Sequence, residues 1–135
     1  MFEPGRGGLA ALEHAAQLLA ERPTELTVLA LAPQEPLPRC GGPSPDAYNC
    51  AVIEQASSDL DQAAQRLGGA GDGARFRMLI ERIDPSLEAW IAENAFELVV
   101  LPARPPPLGS PRHPAARRIR RHALAEVRVI SPGLR

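Results

Sequence analysis

Gly109-Ser110 stands just ahead of a helix-forming stretch of this 135-residue chain. Glycine lets the backbone come close to an anion, and the free N–H groups of a helix start add partial positive charge. Arg104 and Arg112 bracket the pair, and a guanidinium fork fits phosphate or carboxylate oxygens two at a time. Further on, Arg117, Arg120 and Arg121 fall at i, i+3 and i+4 and share a helix face, with Arg118 beside them. This is either a patch for an anionic ligand or acidic protein partner, or a solvated face whose late arginines complement the helix dipole. No aromatic residue lies between 97 and 135, so base stacking has no platform and nucleic acid is not the expected partner.

Catalytic chemistry finds little support. Ser110 lacks the G-x-S-x-G elbow that would expose a nucleophile beside a base. His14, between Glu13 and Gln17, is expected to be exposed or structurally satisfied, and His113 and His122 stand nine apart, which is no zinc spacing. Asp59 and Asp61 diverge on a helix and cannot work as a carboxylate pair. Cys40 and Cys50 flank a Pro/Gly-rich stretch without C-x-x-C spacing or a nearby His. They read as two reduced thiols, with a disulfide closing that stretch as the alternative. No catalytic residue, metal ligand or cofactor is expected.

The elements that must position these residues alternate. Leu9, Leu12, Ala16 and Leu19 recur at helical spacing until Arg22-Pro23. Leu26 to Leu31 is a short unbroken apolar run, the mark of a strand buried on both faces. Pro33 to Pro45 holds five prolines and Gly41-Gly42 and reads as a loop. Val52, Ala56, Leu60, Ala63 and Leu67 form one face of a second helix, stopped by Gly68-Gly69. Phe76, Met78 and Ile80 alternate with Arg75, Arg77 and Leu79, a half-exposed strand suited to a sheet edge. Asp84-Pro85 supplies an N-cap and first-turn proline for a third helix carrying Leu87, Trp90 and Ile91, with Trp90 in the core. Phe96 to Leu101 is a second buried strand, Pro102 to Pro107 a stiff loop, and a fourth helix runs to about Ala123 before a last strand, Val127 to Ile130. Strands joined through helices build one domain, residues 1–135, with a doubly wound, mostly parallel sheet between two helical layers. Its first, central strand is very short or missing. Met1 to Glu3 inserts as a stub, or the native chain begins upstream of Met1, or a partner segment fills the gap; direct pairing of 26–31 with 96–101 would exclude all three.

Charge is divided along the chain. The net charge is −1, but residues 1–100 carry seven Arg against fifteen Asp and Glu, while residues 101–135 carry eight Arg against Glu126 alone. There is no Lys. The start has no basic n-region and no apolar run approaches membrane length, so a cytoplasmic location is the default expectation.

Three stretches are similar to the universal stress protein family. Asp84-Pro85 through Asn94-Ala95 and then Phe96-Glu97-Leu98-Val99-Val100-Leu101 resembles its helix followed by a strand with a VV run. Gly109-Ser110 followed by Ala116, Ile119 and Arg121-His122-Ala123 resembles its glycine-serine helix start and R-H-A helix end, and Val127-Arg128-Val129-Ile130 its final strand. At the front, Leu9 to Ala20 matches its first helix. The resemblance implies a Rossmann-like fold of the adenine nucleotide alpha hydrolase-like kind, a homodimer formed along the last strand, and in some members ATP. The family's G-x-x-G, spacer, G-[S/T] pattern survives here only as Gly109-Ser110. Prolines, which have no N–H to donate, occupy the place of the first two glycines. Glu3 stands where the resemblance puts an adenine-side Asp, with Pro4 in place of a flexible Gly. Glu3, Arg104, Gly109, Ser110 and Arg112 are therefore the expected ligand-side residues of a degenerate nucleotide site. The expected function is a small, non-enzymatic stress-response or regulatory domain. The alternatives are an ATP-dependent switch or slow ATPase, and a basic protein-interaction module.

Overall fold

The computed structural model describes residues 1–35, 44–104 and 112–133. Helix α1 spans Arg6–Glu21, β1 Thr27–Ala32, α2 Pro45–Leu67, β2 Arg75–Ile80, α3 Leu87–Glu93, β3 Leu98–Pro102, α4 Pro114–His122 and β4 Glu126–Ile130. A 3-10 turn, Gly68–Gly71, closes α2, and Gly68 takes φ 51 as its C-cap.

The strands form two parallel pairs, β1 with β2 and β3 with β4, and the pairs are not directly hydrogen-bonded to each other. Two residues join them. The Met1 nitrogen donates to the Val100 carbonyl at 2.8 Å, and the Phe2 N–H donates to the Leu29 carbonyl, also at 2.8 Å. Met1 and Phe2 thus act as the stub of a central strand, with β1 and β2 to one side and β3 and β4 to the other. Burial pushes the Met1 amino group down to about 6, although the nearby Glu3 charge opposes that shift.

The sheet separates two layers of helices. Phe2, Leu12, Val28, Ala63 and Leu67 pack on the α1/α2 side, beside an alanine-rich patch of Ala30, Ala32 and Ala56. Leu29, Leu87, Ile91, Val99, Leu101, Ile119 and Val127 form the larger core under α3 and α4. This is the doubly wound α/β/α architecture that the alternation of elements predicts.

Several boundaries differ for local reasons. Helix α2 begins at Pro45, the last residue of the expected loop, because Ser44 caps it by accepting from Ala47 N–H and Pro45 suits the first turn. Asp84 does not cap α3. Its carboxylate takes the Ile80 N–H at 2.7 Å, and Ser86 is the cap, accepting from Ala89 N–H. Strand β3 extends into Pro102, which is fully buried. Trp90 is half-buried at the rim of the core, its ring 5.1 Å from that of Phe96. The buried face of α1 is Gly8, Ala11, Leu12 and Ala15, rotated from the leucine stripe toward small residues. Close approach causes the rotation: a Cβ on Gly8 would lie 1.5 Å from the Glu3 carbonyl oxygen, and one on Gly7 2.8 Å from that of Ala103.

Candidate functional site

Helix α1 begins hard against the turn that follows the stub, and Gly5 makes that turn at φ 108, where a side chain would be strained. The geometry brings Glu3 to the carboxyl end of the sheet, beside the end of β3 and the start of α4. Arg104 reaches it from the first residues past β3, and His113 from the residue that caps α4.

The three side chains form one cluster. Arg104 grips Glu3 with two donors, Nη2 to Oε1 at 2.6 Å and Nε to Oε2 at 3.2 Å. His113 Nε2 lies 3.1 Å from the same Oε1. His113 Nδ1 accepts the Ala115 N–H at 3.0 Å, so that nitrogen is the acceptor and the ring proton on Nε2 faces Glu3. The imidazole is buried, 6% exposed. Burial alone would raise the Glu3 carboxyl. The hydrogen bonds from His113 and Arg104, with the Arg104 charge, outweigh it and hold the group down at about 2.

The cluster stands at the edge of a cleft of about 890 Å³ across the carboxyl ends of the strands, the place where open α/β sheets take ligands. Five carboxylates line it (Glu3, Asp59, Glu81, Asp84 and Glu88) against three guanidiniums (Arg82, Arg104 and Arg118). Arg104 is committed to Glu3, and Arg118 pairs with Glu88, whose carboxyl falls below its usual range although partial burial opposes this. The arginine-rich tail therefore does not make this cleft basic among the described residues.

The expected site residues fare unevenly. Glu3 and Arg104 are brought into direct contact. Arg112 lies before the fourth helix: its carbonyl accepts the Arg104 N–H at 2.8 Å in an antiparallel bridge, and its side chain is exposed. Gly109, Ser110 and the prolines from 105 to 107 lie outside the described residues, as does Cys40; Cys50 is an exposed thiol on α2. Arg117, Arg120 and Arg121 are exposed on α4, and Arg120 donates to the Val127 carbonyl. His14 is half-buried, and its Nε2 has no partner among the described residues, against the expectation of an exposed or satisfied ring. His113 is the residue that sequence reasoning missed. Its only signal was position, directly before a proline that opens a helix, where the cap must fall.

The fold and cleft define a doubly wound α/β domain with its ligand-side residues at the carboxyl end of the sheet. Among solved structures it is similar to a protein from the universal stress protein family of Burkholderia pseudomallei, at TM-score 0.72 and 23% identity, over 98% of this chain and 92% of that one. The fold of this chain is thus that of a universal stress protein structure. No protein-family model matches the sequence, and no curated protein matches it either. Among the described residues, no helix is long and apolar enough to cross a membrane.

Proposed function

We propose that this chain is a universal stress protein-like regulatory domain, cytoplasmic and without turnover, whose nucleotide site is degenerate because its own ion-pair cluster occupies the ligand position. The observation that carries this reading is the bidentate hold of Arg104 on Glu3, backed by His113. An arginine at the carboxyl end of the sheet is the natural phosphate contact, and here a carboxylate of the same chain takes the Nε and Nη2 fork, two of its five donors. A phosphate entering the cleft would meet Glu3 and four other carboxylates, and it would have to break the pair first.

Calorimetry against ATP, with and without Mg²⁺, tests the reading. Binding weaker than about 10 μM, roughly −7 kcal/mol, is expected, and tighter binding would overturn it.

The domain acts as a homodimer along β4. Val127 and Val129 turn their backbone groups away from β3, since Glu126 and Ile130 are bonded inward; the Val127 carbonyl accepts from Arg120, and no strand pairs with this edge among the described residues. Leu124, in the turn leading to this strand, is fully exposed. Light scattering at micromolar concentration is expected to give twice the 14.5 kDa chain mass; a monomer would refute this part.

A further inference from the structure

The two side chains that hold Glu3 are placed by bonds that do not involve it. The Arg104 N–H donates to the Arg112 carbonyl at 2.8 Å, and the Ala103 N–H just before it donates to the Ile130 carbonyl at 2.8 Å. His113 is buried, and its Nδ1 accepts the Ala115 N–H, which orients the ring and leaves the proton on Nε2. The main chain past β3 and the start of α4 therefore aim a guanidinium fork and an imidazole N–H at one point. Glu3 meets them there from 101 and 110 positions away.

The donor pattern selects what can sit at that point. Arg104 gives one bond to each Glu3 oxygen, Nε to Oε2 and Nη2 to Oε1, and His113 Nε2 gives a second to Oε1. The donors thus match a planar group with two oxygens and one negative charge. A phosphate would bring further oxygens and more charge, and the cleft would meet them with Asp59, Glu81, Asp84 and Glu88. With Arg118 spent on Glu88, Arg82 alone among the described lining guanidiniums is left to offset them. Solvent reaches the point, since the Arg104 side chain is 55% exposed and that of Glu3 25%.

We propose that Arg104 and His113 form a seat for a small monocarboxylate, and that Glu3 occupies it as a tethered ligand, keeping it closed in the native chain. Such a seat rests on Glu3 taking the ligand position, as proposed above, and gives that position its chemistry. A tethered carboxylate competes at the high effective concentration of an intramolecular group, so a free one enters only where Glu3 is withdrawn or removed.

Glu3→Ala removes one CH2–COO⁻ group, the size of acetate, and opens the seat without touching its donors. In roughly 0.1 M sodium acetate the thermal midpoint of this variant is expected to lie about 4 °C above that in the same concentration of chloride. The native chain should show no such difference, and neither should Glu3→Ala combined with Arg104→Ala. Sodium phosphate, corrected for its effect on the native chain, should raise the Glu3→Ala midpoint less than acetate does. An equal acetate response in the native chain, or its survival without Arg104, would overturn the seat. An equal or larger phosphate response would overturn its carboxylate character. If Glu3→Ala is unfolded in chloride, recovery of its circular dichroism in acetate is the supporting result, and no recovery overturns the proposal. Tight ATP binding by the native chain would count against the degenerate nucleotide site, whereas the acetate comparison decides the seat alone.

Discussion

The two ends of the central strand differ sharply in how their polar groups are treated. At the carboxyl end, Glu3 has both oxygens engaged, Arg104 uses two donors and His113 uses both ring nitrogens. At the amino end, backbone groups on the facing edges of β1 and β3, between apolar walls, have no partner among the described residues. The same three residues, Met1 to Glu3, serve both ends. Polar satisfaction at one end is local, made by side chains that converge on one carboxylate. At the other it needs a length of backbone, which no side chain can replace.

The largest effect expected on this contrast comes from Gly8→Ala. The added Cβ would fall 1.5 Å from the Glu3 carbonyl oxygen, which is main chain and cannot swing aside. Displacing α1 from the stub should disturb both ends together and cost more than about 4 kcal/mol by urea denaturation, a large share of a small domain's margin.

Glu3→Gln strikes the closed end alone. The Glu3 carboxyl is lowered from 4.5 to about 2 by folding, so its contribution is fully present above pH 4.5 and is lost as pH falls toward 2. The substitution should cost about 2 kcal/mol at pH 7. The gap between the two proteins should shrink in denaturation curves taken at pH 3. A gap independent of pH would mean that Glu3 acts through packing rather than through its charge.

His113→Ala should cost less, about 1 kcal/mol for the lost cap of α4 and somewhat more for the Glu3 bond. His113→Asn separates the two, because asparagine can keep the cap while giving up the reach to Glu3. If thermal melts show the asparagine protein as weak as the alanine one, the Glu3 contact dominates.

Much of the architecture was legible because it rests on short-range patterns. The unbroken apolar runs marked the two inner strands, and the alternation over Arg75 to Ile80 marked an edge. Boundaries were less so. Asp84 and Ser86 are both good caps in sequence, and only the demand of Ile80 N–H for a partner drew Asp84 away. The leucine stripe of α1 misplaced its buried face because Gly7 and Gly8 allow a closer approach, which puts small residues inward.

The candidate site was half legible. Glu3 and Arg104 could be named one by one, yet nothing local says that residues 101 positions apart will share a hydrogen bond. The sequence by itself determined the order of strands and helices and the split of charge, because each follows from neighbouring residues. Only the tertiary structure decided that the arginine tail would spend Arg104 and Arg118 on carboxylates, leaving an acid-rich cleft among the described residues. The reason is physical: a guanidinium's effect depends on the charge within a few ångströms of it, and distance in space is set by packing rather than by position along the chain.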